Sequence, residues 1–66
     1  MGFKTFIVTV RQWDFDTDEG VYIPTERERK YMANPFVVLA YDDIDAMNKV
    51  SDRVGWCIVD CTIDSL

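Results

Sequence analysis

The sequence predicts an α+β fold in which a small antiparallel or mixed sheet of three to four strands carries one helix on one face, in the order β-β-β-α-β. Three observations predict it. The chain has 66 residues, a length that suits a single domain spanning 1–66. Its second half places one amphipathic helical segment between two apolar runs of strand length, and β-branched residues concentrate near its start.

The first strand is expected over residues 4–10, where β-branched and aromatic side chains dominate. Four acids and a glycine within 14–20 then indicate a turn. The strand is expected to continue through Trp13 into a hairpin. Its returning arm is expected to be a short edge strand at 21–23, because Pro24 follows and ends it.

The next segment leaves two alternatives open. Residues 25–32 form a mixed-charge run that fits either one or two turns of helix capped by Thr25 or a solvated loop. After Pro35, the nearly continuous apolar run 36–41 predicts a strand. The pattern alone does not decide which of the alternate side chains of this strand point inward.

The helix is expected over 43–54, with Asp42 as its N-cap and Gly55 just beyond its last turn. The last strand is expected over 56–63. The first strand is expected to lie between this strand and the strand at 36–41, antiparallel to both, because a right-handed crossover makes those two parallel. The predicted core consists of Phe6, Val8, Val10, Val38, Ile44, Met47, Val50, Val54, Cys57, Val59, Cys61 and Ile63.

The two cysteines, Cys57 and Cys61, lie four residues apart in the last predicted strand. Four residues of strand span about 13 Å, whereas a disulfide needs Cα atoms within about 7 Å. We therefore expect both thiols to point to the same face and to stay reduced, as small core residues in a cytoplasmic protein.

Composition argues against several classes of function. The chain has no histidine, and its seven Lys and Arg against twelve Asp and Glu give a net charge of −5. Direct binding of nucleic acid or of an anionic membrane is not expected at this charge. Catalysis, a cofactor and a metal are not expected either, since the commonest acid–base group and metal ligand is absent.

Acidic and aromatic side chains crowd around the predicted hairpin. Carboxylates in such a cluster can imitate the phosphates of a nucleic acid to a basic groove, and aromatic side chains are frequent anchors of protein interfaces. The carboxylates expected to bind a partner are Asp14, Asp16, Asp18 and Glu19. The aromatic residues expected to anchor it are Trp13, Phe15, Tyr22 and Trp56. The uncovered sheet face is expected to carry Ile7, Trp56 and Ile58, with Trp13 and Phe15 near the hairpin.

The alternation Asp14-x-Asp16-x-Asp18 also resembles the start of an EF-hand calcium loop. That loop requires Gly at its sixth position and a bidentate Glu at its twelfth. Here Glu19 stands at the sixth position and Thr25 at the twelfth, so a solvated hairpin tip is the simpler interpretation.

The segment 36–63 combines the apolar strand Phe36–Tyr41, the acidic helix start Asp42-Asp43-Ile44-Asp45-Ala46, the helix stop at Gly55 and the strand Trp56–Ile63. In size, acidity and element order it resembles the small strand–strand–helix–strand proteins that bacteriophages encode to disable host machinery. Phage inhibitors of bacterial RNA polymerase and several anti-CRISPR proteins are of this type. The resemblance implies a non-enzymatic protein in the host cytoplasm that binds a host protein or a protein–nucleic-acid complex, and it assigns no functional residue.

Three functions follow as hypotheses. The first is a phage-type inhibitor that blocks a nucleic-acid-handling complex through acidic contacts that partly imitate nucleic acid. The second is a small structural or assembly protein that forms homo-oligomers through its open sheet face. The third is a calcium-binding module that uses Asp14, Asp16 and Asp18.

Overall fold

The computed structural model describes residues 2–66. Its elements, in chain order, are β1 (Lys4–Asp14), β2 (Asp16–Thr17), β3 (Gly20–Val21), α1 (Glu26–Ala33), β4 (Phe36–Ala40), α2 (Asp43–Val54) and β5 (Cys57–Ser65). The α+β class is confirmed. The expected order β-β-β-α-β is not confirmed, because the mixed-charge run folds as a second helix, which is one of the two alternatives that the sequence left open.

The main sheet has three strands in the order β4-β1-β5, with β1 antiparallel to both neighbours. The central position of the first strand is therefore as predicted. Strands β2 and β3 form a separate two-residue ladder at the far end of β1. The hairpin is present, but its returning arm is Gly20–Val21 rather than 21–23.

Both helices begin at side-chain caps that the sequence supplies. Asp42 accepts a hydrogen bond from the backbone N–H of Asp45 (2.8 Å) at the start of α2. Thr25 and Glu28 form a reciprocal capping box at the start of α1. Gly55 ends α2 in the left-handed conformation with φ of 90°, which other residues adopt only with strain.

The core lies between the sheet and the helices. The side chains of Val8 and Val50 are fully buried at its centre, and α2 packs across all three strands. In β4, the alternate residues Phe36 and Val38 point inward, which decides the question that the sequence left open. Among residues 2–66, the buried residues are Phe6, Val8, Val10, Met32, Phe36, Val38, Ala40, Ala46 and Val50.

Two β-bulges explain why part of the predicted core is wrong. The β1–β5 register shifts once between Val10 and Gln12 and shifts back before Trp13. Each shift moves the following side chains of one strand to the other face. Trp13 and Ile58 therefore pack against the core instead of lying on the uncovered face.

Three residues predicted as core are exposed instead. Val59 is 56 % exposed and Cys57 is exposed, because the irregularity in β5 reverses the facing of its first residues. Cys61 remains partly buried, so the two free thiols point to different faces rather than to the same one. Ile44 is 64 % exposed, and the smaller Ala46 occupies the core position on α2.

Two side chains of α2 form hydrogen bonds with the backbone at the outer edge of β4. Lys49 Nζ donates to the Leu39 carbonyl (2.8 Å), and the Tyr41 N–H donates to Asp45 Oδ2 (3.0 Å). These two contacts join α2 to the outer edge of β4, while Ala46 and Val50 face the sheet. Charged side chains at an exposed edge also oppose strand pairing between molecules.

The face of the sheet away from α2 is uncovered. Val37 and Leu39 are 57 % and 59 % exposed there, and Ile7 beside them is half-buried. Helix α1 does not cover this face, because its Tyr31 ring packs edge-to-face on the inward-pointing Phe36 (5.6 Å between centroids). Neither helix within residues 2–66 is long and apolar enough to cross a membrane.

Candidate protein-binding site at the hairpin end

The hairpin is an extension of β1 beyond the main sheet. The Tyr22 N–H donates to the Phe15 carbonyl (2.9 Å), which returns the chain alongside β1. At the tip, the Thr17 hydroxyl donates to the Gly20 carbonyl (2.6 Å). Gly20 has φ of 122°, a conformation that the tight return requires and that side chains rarely tolerate.

The tip presents the predicted carboxylates to solvent. Asp14, Asp16, Asp18 and Glu19 are all exposed. Among residues 2–66, the ion pairs join Arg11 to Asp60, Lys30 to Glu26 and Lys49 to Asp45. No tip carboxylate takes part in them, so the tip carries four negative charges without a cation at ion-pair distance.

Three of the four predicted aromatic anchors form one cluster at the base of the tip. The Tyr22 ring stacks on Trp56 with centroids 5.0 Å apart, and Phe15 meets Trp56 edge-to-face at the same distance. Phe15 and Trp56 are half-buried, whereas Tyr22 is exposed. The cluster joins the hairpin to the start of β5.

The fourth predicted anchor, Trp13, has a different role. Its ring contacts Phe36 edge-to-face, with 6.4 Å between centroids, and it packs against the core. The register shifts between Val10 and Trp13 place Trp13 on the face of Val10, and Phe15, two residues further on, lines the same groove.

This groove lies between β1, the hairpin and α1, and has a volume of about 450 Å³. Most of its wall is apolar, and two arginines contribute to it. Its lining residues include Trp13, Phe15, Tyr22, Ile23, Pro24 and Met32. Sequence reasoning missed this groove, because α1 was only one of two alternatives.

Glu28 connects the hairpin to α1. Its carboxylate accepts hydrogen bonds from the Tyr22 hydroxyl and from the Thr25 N–H (2.9 Å). These bonds lower the pKa of Glu28, and the bond from the Tyr22 hydroxyl makes the largest contribution. The same bond is the main reason that the pKa of Tyr22 is raised. The Thr25-x-x-Glu28 spacing is a capping-box signal that sequence reasoning could have used.

The alternate aspartates do not build a cation site. The Asp16 N–H donates to Asp14 Oδ1 (3.0 Å), so one carboxylate is engaged with the backbone of the tip. Within residues 2–66, no three carboxylate or thiol side chains converge closely enough to hold a metal ion. The arrangement is that of an acidic surface beside an apolar groove.

Comparison of the chain with protein-family models, with curated proteins and with solved structures found no match. The functional argument therefore depends on the geometry and charge of the site.

We expect the free energy of unfolding to be greatest at about pH 6 to 8 and to decrease at both extremes. The folded-state pKa values of Glu28, Asp45 and Asp60 are lowered, Asp60 mainly by its hydrogen bond from Arg11. A lowered pKa stabilises the fold above the unfolded value, about pH 4, and this contribution disappears as the pH falls through the folded value. The pKa of Tyr22 is raised, and burial raises the pKa of Cys61. Both shifts stabilise the fold at lower pH, and their contribution is lost as the pH rises above about 9.

Urea denaturation as a function of pH checks this expectation. Glu28→Gln should reduce the difference in stability between pH 7 and pH 3. Glu26→Gln, which removes one exposed carboxylate from the same helical turn, is the matched control for the loss of a charge. Equal acid sensitivity of wild type and Glu28→Gln would show that this carboxylate does not couple the hairpin to α1.

Proposed function

We propose that the chain is a non-enzymatic protein-binding inhibitor that uses its hairpin end to occupy a basic surface of another protein. The observation that carries this proposal is the group of four exposed tip carboxylates, none paired with a cation within residues 2–66. Such a surface attracts a basic partner over a distance set by the Debye length, and it raises the association rate. The adjacent aromatic cluster supplies the apolar contact that charge alone does not.

The narrower form of the proposal names the partner. A basic surface that accepts four clustered carboxylates in place of phosphates is typical of proteins that handle nucleic acid. The target is then a host protein or protein–nucleic-acid complex, as for phage-encoded inhibitors of RNA polymerase or anti-CRISPR proteins. The chain itself, with its net charge of −5, is not proposed to bind nucleic acid.

Parallel affinity capture from a bacterial lysate tests this function. The tip variant carries Asn at 14, 16 and 18 and Gln at 19, which changes the net charge from −5 to −1. A control variant makes the same change in charge elsewhere, with Gln at 26 and Asn at 43, 52 and 64. We expect a nucleic-acid-handling protein to be retained by wild type and control but lost from the tip variant.

Two other results would contradict the proposal. If wild type and tip variant retain the same proteins at about 0.05 M and 0.3 M salt, the tip charge does not drive recognition. If the tip variant and the control lose the partner equally, net charge matters rather than its position.

A second candidate function is assembly of homo-oligomers through the uncovered sheet face. It is favoured by the exposure of Val37 and Leu39, which together with Ile7 give that face an apolar strip. Sedimentation velocity distinguishes the two candidates, because a chain that stays monomeric at about 100 μM does not assemble through this face.

A further inference from the structure

The groove between β1, the hairpin and α1 is unusual in its charge. Acids outnumber bases by twelve to seven in this chain, yet the charged residues that line the groove are Arg11 and Arg29, with no carboxylate among them. An apolar groove with a cationic rim does not match the acidic tip, so it calls for a different ligand.

The two arginines differ in their availability. Arg11 is held by Asp60 through two hydrogen bonds, Nε to Oδ2 (3.0 Å) and Nη2 to Oδ1 (3.1 Å), so its charge is balanced. Arg29 takes part in none of the ion pairs of residues 2–66. Its neighbour Glu28 directs its carboxylate to Tyr22 and Thr25 instead. Arg29 is therefore a cation with five donors at the edge of an apolar cavity.

We propose that this groove binds a small amphipathic organic anion, meaning an aromatic or aliphatic molecule that carries one carboxylate or sulfonate. Its apolar part would lie against Trp13, Phe15 and Met32, and its anionic group would accept hydrogen bonds from Arg29. The volume of about 450 Å³ lies within the range of pockets that hold small molecules, about 300–1,000 Å³. A guanidinium is well suited to bind a carboxylate or sulfonate because its fork makes paired hydrogen bonds. The inference goes beyond the proposed function, since it requires no protein partner.

A titration with two fluorescent probes tests the inference on the intact chain. The first probe is the anion 8-anilinonaphthalene-1-sulfonate, and the second is the neutral N-phenyl-1-naphthylamine. We expect wild type to bind both. Arg29→Gln should weaken binding of the anion by about tenfold, the value of one charge-assisted hydrogen bond, and should leave the neutral probe unaffected. Arg27→Gln, an exposed arginine on the same helix, should bind both probes as wild type does.

Three results would overturn the inference. If neither probe becomes more fluorescent with folded wild type, the groove does not bind a ligand of this class. Equal loss of anion affinity in both arginine variants would show a non-specific effect of charge. In an NMR titration with the same probes, chemical-shift changes at Val37 and Leu39, instead of at the Trp13 indole and Met32, would place the probe on the uncovered sheet face. Circular dichroism verifies that each variant is folded, and no outcome depends on the lysate capture.

Discussion

Phe36→Ala is expected to leave the chain unfolded at room temperature. Phe36 is 5 % exposed, and its ring meets Trp13 on β1 and Tyr31 on α1 edge-to-face. Removing a buried phenylalanine costs about 3–5 kcal/mol. A core of this size supplies a net stability of only about 3–5 kcal/mol, so one substitution is enough to remove it.

The adjacent residue supplies the matched control. Val37 lies on the same strand but is 57 % exposed on the uncovered face. Val37→Ala should change the free energy of unfolding by less than about 0.5 kcal/mol, as is usual at surface positions. Thermal melting by far-UV circular dichroism measures both variants. A cooperative transition of Phe36→Ala within a few degrees of wild type would contradict the packing described for α1 and β4.

Trp56→Ala is expected to release the hairpin while the sheet remains folded. Trp56 contacts Tyr22 and Phe15 at 5.0 Å each, and these contacts join the hairpin to the start of β5. The two-residue ladder of β2 and β3 cannot be stable alone, because an isolated hairpin is marginal in water. We expect the free energy that holds the hairpin against the sheet to decrease by about 2 kcal/mol, which is less than the cost of removing a fully buried aromatic residue.

Hydrogen exchange followed by NMR measures this local effect. In Trp56→Ala the Tyr22 amide, which donates to the Phe15 carbonyl, should lose its protection, while the amides of Phe6 and Val8 in the central strand should keep theirs. Tyr41→Ala is the control, since the Tyr41 ring contacts Phe3 (4.3 Å between centroids) at the opposite end of the sheet. Unchanged protection at Tyr22 in Trp56→Ala would show that the cluster does not hold the hairpin.

Local signals in the sequence were sufficient to locate the elements of the second half of the chain, but not to predict which side chains they bury. Helix α2 has the predicted bounds, 43–54, because Asp42 caps it and Gly55 ends it. The face that it buries was not predictable from its apolar spacing alone. Ala46 and Val50, one helical turn apart, face the sheet, and Ile44 lies on another side of the helix and is exposed.

The strands show where alternation fails as a guide. A two-residue period predicts the facing of a side chain only while the register is continuous. The paired irregularities near Gln12 and Val59 have no strong signature in the sequence, and they move Trp13 and Ile58 to the inner face. The predicted equivalence of Cys57 and Cys61 fails for the same reason.

The candidate site was predictable in composition but not in arrangement. The exposed acids of the tip follow directly from the sequence between Asp14 and Glu19. The grouping of Phe15, Tyr22 and Trp56 depends on the register of β5 against β1, which places Cys57 opposite Asp14 and which local patterns do not specify. The groove depends in addition on α1, for which the capping box of Thr25 and Glu28 is a sequence signal that was not used.

The salt dependence of the affinity between the chain and its purified partner tests the central claim most directly. For wild type and the matched-charge control, we expect log Kd to rise steeply with log salt concentration. For the variant with Asn at 14, 16 and 18 and Gln at 19, we expect a shallower slope and a low-salt association rate at least about tenfold slower. A tip variant with the slope and association rate of wild type would contradict recognition through the acidic hairpin.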